Sequence, residues 1–160
     1  MRAFESLRNK IQLEVDDLRL MVLLKSGGSA FYEELAEKAS HPVASDLLRR
    51  NSWEDRIHAH RLKRAIEVLT GNEYVIPTPE ENPFSNFAAV PVCSRTILEI
   101  IEYIENECAA HQSRWADHAP HPDVAALLRQ NSSEDQLHGE RVRQVIEILH
   151  RSTGADPSGA

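Results

Sequence analysis

The chain has 160 residues, 41% of them hydrophobic, which is the size of one ordinary domain with enough apolar side chains for a core. Lys and Arg number 18 against 25 Asp and Glu, and the resulting net charge of -7 repels phosphate backbones and anionic lipid, so nucleic acid and membrane are excluded as partners. No run approaches the roughly 18 apolar residues of a membrane helix, and MRAFESLRNK lacks the apolar stretch of a secretory signal, so a soluble, cytoplasmic protein is expected.

In chain order, a first helix is predicted over residues 14–39. Its core-facing seam, counted at spacings of 3 and 4, is Leu18, Met21, Lys25, Gly28, Tyr32, Leu35 and Ala39. Ser40-His41-Pro42 then puts Pro in a first helical turn, where its missing N–H costs nothing, and a second helix runs to Gly71, available as a C-cap. The seam of that helix is Leu48, Asn51, Asp55, His58, Leu62, Ala65 and Leu69. Residues 71–93 carry Pro77, Pro79, Pro83 and Pro91 and read as an extended linker. A third helix follows, with the seam Leu98, Ile101, Glu105, Cys108, Gln112, Trp115 and Ala119. Pro120-His121-Pro122 opens a fourth, with Leu128, Asn131, Asp135, His138, Val142, Val145 and Leu149 facing inward. The tail 151–160 is expected to be disordered.

Sliding the chain by eighty positions aligns residues 41–69 with 121–149 without a gap, giving 14 identities in 29 positions. The same offset pairs 14–39 with 94–119 more weakly. The unit is therefore a helical hairpin used twice, with repeat 1 over about 14–70 and repeat 2 over about 94–150 of a single four-helix domain. Two hairpins related by a two-fold axis run up, down, down, up, so the chain must return along the whole bundle between them. Helices of ~25 residues are ~38 Å long, and some twenty extended residues reach up to ~66 Å. The linker length suits that crossover.

Asn, Asp and His stand in both seams where a bundle normally puts Leu. A buried carboxylate is very costly alone, so these groups must be satisfied by each other, by water or by a cation. Lys25 and Glu105 are eighty apart and fall in the same layer. Gly27, Gly28, Ala109 and Ala110 are small, which predicts a close approach of the first and third helices. His58 and His138 read equally as core histidines bonded to the Asp one turn earlier or as metal ligands. Lys25 reads either as a buried cation or as a surface residue whose stem lines the seam. The other histidines, His41, His60, His111, His118, His121 and His150, are expected at the surface or in caps. Trp53, Trp115, Phe31 and Tyr32 are expected in the core, and Arg61, Lys63, Arg64 and Glu67 on a solvated face. Cys108 reads as a small core residue, while Cys93 has no assigned place, and their spacing makes neither a disulfide framework nor a metal clip.

These residues resemble the ferritin-like superfamily, whose bundles carry a Glu on two helices and an E-x-x-H pair on the other two, all pointing inward at a di-iron centre. The chain is most similar to rubrerythrin-like and encapsulated-ferritin hairpins. Phe31-Tyr32 matches an aromatic pair, Asn51 and Asn131 match an Asn seven residues before the ligand His, and Asp55-x-x-His58, Asp135-x-x-His138 and Glu105 match ligand positions. The resemblance implies an all-α, ferritin-like four-helix bundle of two pseudo-symmetric hairpins, with Asp55, His58, Glu105, Asp135 and His138 as metal ligands. Lys25, Asn51 and Asn131 would modulate the site. Glu54 and Glu134, one turn before each His, are substitute ligands that fall beside the seam.

Two departures alter what is implied. Asp replaces Glu in both x-x-H pairs, and Lys25 holds the place of the second helix-borne Glu. Three carboxylates and one ammonium leave a layer that suits one divalent ion, so a mononuclear site for iron, or for manganese or zinc, is expected. Iron oxidation, or a ferroxidase- or peroxidase-like role in oxidative stress, is the chemistry the resemblance implies, while the altered ligand set argues against a standard di-iron enzyme. The alternative is a bundle without metal that acts as an interaction protein, its layer held by a Lys25–Glu105 ion pair. Homo-oligomers are left open. The tail RSTGADPSGA carries no apolar cluster that could dock into a shell.

Overall fold

The structure is a computed structural model and describes residues 6–85 and 92–153. Four long helices carry the fold: α1 (Val15–Lys38), α2 (Pro42–Thr70), α3 (Arg95–Asp117) and α4 (Pro122–Thr153). No strand occurs among the described residues. The ends follow local chemistry. Glu14 N–H donates to Asp17 Oδ2 at 2.8 Å at the start of α1, and Ser94 Oγ accepts from Ile97 N–H at 3.3 Å at the start of α3. His41 Nδ1 accepts from Val43 N–H, and His121 Nδ1 accepts from Asp123 N–H, so both are caps as expected. Gly71 closes α2 at φ 68°, a left-handed angle that favours glycine. α4 runs to Thr153, past the boundary expected at 150, and the rest of the tail lies outside the described residues.

α1 packs along α2, α3 packs along α4, and the two hairpins join through α2 against α4. One apolar cluster combines the start of α1 (Leu18, Met21, Val22) with the end of α2 (Leu62, Ile66), the end of α3 (Trp115) and the start of α4 (Val124, Leu128). The other combines Tyr32 and Leu35 with Leu48, Leu98, Ile101, Val142 and Val145. Helices that share an end in this way run up, down, down, up. Each fully buried Leu contributes about 1.5–3 kcal/mol, and these two clusters hold the bundle on either side of a polar middle.

The described part of the linker, residues 71–85, runs back along α1. Tyr74 and Ile76 pack on the first cluster, Asn82 is buried with its Nδ2 donating to Leu23 O at 2.9 Å, and Phe84 lies against Gly27. A Cβ on Gly27 would stand 2.6 Å from Phe84 O, so this glycine serves the linker. The expectation that Gly27, Gly28, Ala109 and Ala110 draw α1 and α3 together is overturned: the backbones of those two helices stay apart, and they meet through side chains such as Tyr32 and Glu105. Gly28 makes room for the Asp55 carboxylate, and Ala109 O accepts from Ser132 Oγ at 2.7 Å within its own hairpin. Trp53, expected in the core, is 60% exposed. Among the described residues, no helix is long and apolar enough to cross a membrane.

Candidate metal centre

α2 and α4 run antiparallel through the middle of the bundle and deliver the polar layer in matched pairs. Asp55, His58, Asp135 and His138 are all buried, and one donor atom from each lies within 4.8 Å of the others. His58 Nδ1 stands 3.3 Å from Asp55 Oδ1 and 3.2 Å from Asp135 Oδ1, and His138 Nδ1 stands 3.9 and 3.7 Å from the same two atoms. The imidazoles stack, with centroids 5.1 Å apart and planes 13° from parallel. A tetrahedral ion with bonds of about 2.0–2.2 Å separates its donors by roughly 3.3–3.6 Å, so the His58 pairs already match such spacing and the His138 pairs are wider.

The outer ring nitrogens explain why the rings face this way. His58 Nε2 meets Glu134 Oε2 at 2.8 Å, and His138 Nε2 meets Glu54 Oε2 at 3.1 Å, each carboxylate coming from the other hairpin. Each Glu is fixed in turn by an arginine: Arg61 makes a fork to Glu134 at 2.7 and 2.9 Å, and Arg141 makes one to Glu54 at 2.6 and 3.1 Å. Arg61 Nη1 also reaches Asn131 Oδ1, and Arg141 Nη1 reaches Asn51 Oδ1. The Asn amides close the circuit, Asn51 Nδ2 donating to His138 O and Asn131 Nδ2 to His58 O. Glu54 and Glu134 therefore do not point into the cluster as substitute ligands. They orient the histidines from outside.

Lys25 decides the charge at the centre. It is buried, with Nζ 2.7 Å from Asp135 Oδ1, 3.0 Å from Asp55 Oδ1 and 3.9 Å from Glu105 Oε2, so the surface reading of this residue is set aside. Its closest partners are the two aspartates, with Glu105 more distant than the expected ion pair. Burial works against the ammonium, but Asp135, Asp55 and Glu105 outweigh it and hold its pKa well above the usual lysine value. Burial likewise works against ionised Asp55 and Glu105, and the Lys25 charge overrides it, keeping both below the ordinary carboxylate range. His138 is held up at about 10: burial opposes its charge, and the carboxylates of Glu105 and Glu54 more than compensate. His58 is raised against burial by Asp135 and Asp55.

Glu105 stands at the edge, its Oε1 3.7 Å from His138 Nδ1 and accepting from Tyr32 Oη at 2.6 Å. Gln112 Nε2 donates to Asp135 Oδ2 at 2.5 Å. Two buried ring nitrogens aimed at the centre, His58 Nδ1 and His138 Nδ1, have no well-aligned hydrogen bond, and Asp55 Oδ1 is met by the Lys25 ammonium at 3.0 Å. Buried polar atoms are normally partnered, so two inward-facing ring nitrogens without a hydrogen bond, set beside two aspartate oxygens, form a donor set suited to a cation. The residues fit a metal.

The family model for rubrerythrin matches residues 25–146, well over half of the chain, from Lys25 to a position one turn beyond Val142. The chain belongs to the rubrerythrin family. No curated protein matches it, and no solved structure does. A rubrerythrin-type bundle carries its metal chemistry between facing helices, which is where the Asp-His cluster lies. Within that frame, sequence reasoning missed Arg61, Arg141, Tyr32 and Gln112. Arg61 and Arg141 left a signal, an identical residue three positions after each His in both repeats, yet Arg61 was assigned to a solvated face and Arg141 was given no place. Tyr32 was read as core packing alone, because a helical wheel shows the direction of a side chain and not what its hydroxyl reaches.

Proposed function

We propose that this layer binds one divalent metal ion through Asp55, His58, Asp135 and His138, with Glu105 at its edge, in a single four-helix domain that works in the cytoplasm. The observation that carries the reading is the convergence, in a four-residue cluster, of two aspartate oxygens and two buried ring nitrogens that make no hydrogen bond. Lys25 restricts the site to one ion: its ammonium sits against both aspartate oxygens, where a second ion would need to share them. Iron or manganese bound here would supply one-electron chemistry towards oxygen or peroxide, and zinc would supply Lewis acidity. The protein's own groups do the rest. Glu54 and Glu134 hold the outer ring nitrogens so that each Nδ1 faces inward, a carboxylate–histidine arrangement that raises ligand basicity. Tyr32 keeps Glu105 turned towards His138.

The test is direct. Protein from cells supplied with iron is analysed for metal, and cobalt is titrated into metal-free protein while visible absorption is followed. One equivalent of metal and a low-coordinate cobalt spectrum, both lost in Asp55→Asn/Asp135→Asn, is the expected result. Absence of metal after supplementation, with no cobalt bands, would leave the second reading: a bundle whose layer is held by Lys25 and the aspartates alone, a role favoured by the 2.7 Å Lys25–Asp135 contact.

A further inference from the structure

Two cavities border α1. The larger, a groove of 410 Å³ between α1 and α3, reaches Lys25 between apolar walls. The smaller, of 330 Å³, lies between α1, α2 and the linker, with Ser26, Ser29, Arg56, His60, Pro77 and Ser85 in its lining. Among the described residues no carboxylate lines it, although the chain carries 25 acidic residues against 18 basic ones. Glu80 and Glu81 follow in the linker, both exposed, and Glu81 accepts from Thr78 N–H at 3.0 Å. Arg56 differs from the other arginines. Among the described residues each of those meets a carboxylate or, for Arg114, backbone carbonyls. Arg56 instead donates from Nε to Ser29 Oγ at 3.0 Å, with no carboxylate paired to it. The serine that holds it is fixed in turn. Ser52 Oγ gives its one proton to Ser29 O at 2.9 Å, so Ser29 Oγ, 3.2 Å from Ser52 Oγ, donates there and accepts from Arg56. Both serines are buried. A guanidinium anchored through Nε keeps four N–H donors on Nη1 and Nη2, in the planar fork that matches an oxyanion.

The eighty-residue offset isolates this feature in one half of the molecule. Ser26, Ser29, Arg56 and His60 correspond to Asn106, Ala109, Gln136 and Glu140, so the second hairpin has neither the cation nor the serine that anchors it. Around Arg56, His60 adds a ring N–H and Ser26 and Ser85 add hydroxyls, more donors than the two oxygens of a carboxylate can use. A phosphate monoester presents three strong acceptor oxygens. Ala59, Ile76 and Pro77 supply apolar wall for a small organic body, and the volume falls within the range of small-ligand sites. We propose that the cavity between α1, α2 and the linker binds a small organic phosphate monoester, its phosphate held by the Arg56 fork with Ser26, His60 and Ser85 completing the donors. The site goes beyond the metal reading and stands without it, since none of these residues is a proposed ligand.

The experiment titrates phenyl phosphate, inorganic phosphate and benzoate into the full, metal-free chain and follows amide NMR shifts. The expected result is saturable binding of phenyl phosphate, with shifts at residues 26–30, 56–60 and 76–85. Inorganic phosphate, which lacks the apolar body, should bind about fivefold more weakly or worse, and benzoate about tenfold. Arg56→Gln, which copies the side chain found at position 136, should weaken phenyl phosphate about tenfold or more, the loss of a charge-assisted fork. Arg56→Lys should weaken it about threefold or more, because an ammonium keeps the charge without the fork. His60→Glu, with the same tenfold expectation, serves as the second variant if Arg56→Gln does not fold. Binding unchanged in these variants, shifts confined to the Asp-His cluster, or benzoate binding as tightly as phenyl phosphate overturns the proposal. Inorganic phosphate binding as tightly as phenyl phosphate overturns it as well, since the ligand would then be the free anion.

Discussion

Replacing Lys25 tests the charge logic of the centre most sharply. Its Nζ lies 2.7 and 3.0 Å from the two aspartate oxygens that also face the cluster. A divalent ion bonded to those oxygens at about 2 Å would sit on the order of 4 Å from the ammonium. At an effective dielectric constant of about 20, charges of +1 and +2 at that distance repel by about 8 kcal/mol. If relaxation of the lysine stem into the α1–α3 groove removed three quarters of this, the remaining ~2 kcal/mol would still weaken binding about 30-fold. Lys25→Met, which keeps the stem and deletes the charge, should therefore bind cobalt or iron at least 30-fold more tightly than the parent in a chelator competition. Lys25→Glu supplies a fourth carboxylate and should raise uptake from at most one ion towards two per chain, measured by elemental analysis after gel filtration. Unchanged affinity in Lys25→Met together with unchanged stoichiometry in Lys25→Glu would refute the idea that this ammonium limits the site.

Other outcomes follow from the same contacts. Glu54→Gln and Glu134→Gln should each lower metal affinity about 10- to 100-fold by weakening the outer hold on His138 and His58, and the two losses should be similar because the contacts are reciprocal. His138 is held up at about 10, so an ion entering at neutral pH must displace its proton, and His58 is shifted in the same direction by Asp135 and Asp55. Calorimetry in buffers of different ionisation enthalpy should show release of at least one proton per ion, with affinity rising as pH rises. In metal-free protein the charged form of His138 is favoured by folding, since its folded value of about 10 lies above the 6.5 of a free imidazole. Its contribution is complete below about pH 6.5 and is lost as pH climbs towards 10, so denaturant stability should fall across that window. Gly27→Ala should cost about 1–3 kcal/mol in thermal unfolding because its Cβ meets the linker backbone at Phe84 O. Gly28→Ala, whose Cβ would stand 2.7 Å from Asp55 Oδ2, should reduce metal affinity more than stability.

The helices, their order and the crossover were readable because hydrophobic spacing, two His-Pro starts and the proline-rich linker each act locally. The eighty-residue offset then placed Asp55 with Asp135 and His58 with His138 before any coordinates, since two similar hairpins sharing a core must bring equal positions together. What escaped was the reach of long side chains. Glu54, Glu134, Arg61 and Arg141 lie beside the seam, where periodicity left the two glutamates as substitute ligands and Arg61 on the surface, and only the antiparallel pairing of α2 with α4 shows that each crosses to the other hairpin. The gap between α1 and α3 was misjudged for a related reason. Glycines in a helix signal that something approaches closely, but not what: at Gly27 it is the linker and at Gly28 the Asp55 carboxylate.

The outer nitrogen of each histidine is held from across the α2–α4 boundary, so neither hairpin finishes a centre alone. Had the two halves been separate identical molecules, any substitution would be written on both sides of the axis, and a lysine at position 25 would face another lysine where Glu105 now stands. Joining them in one polypeptide lifts that restriction. One half can carry a base and the other an acid, and a centre that began as mirror-like can acquire a front and a back.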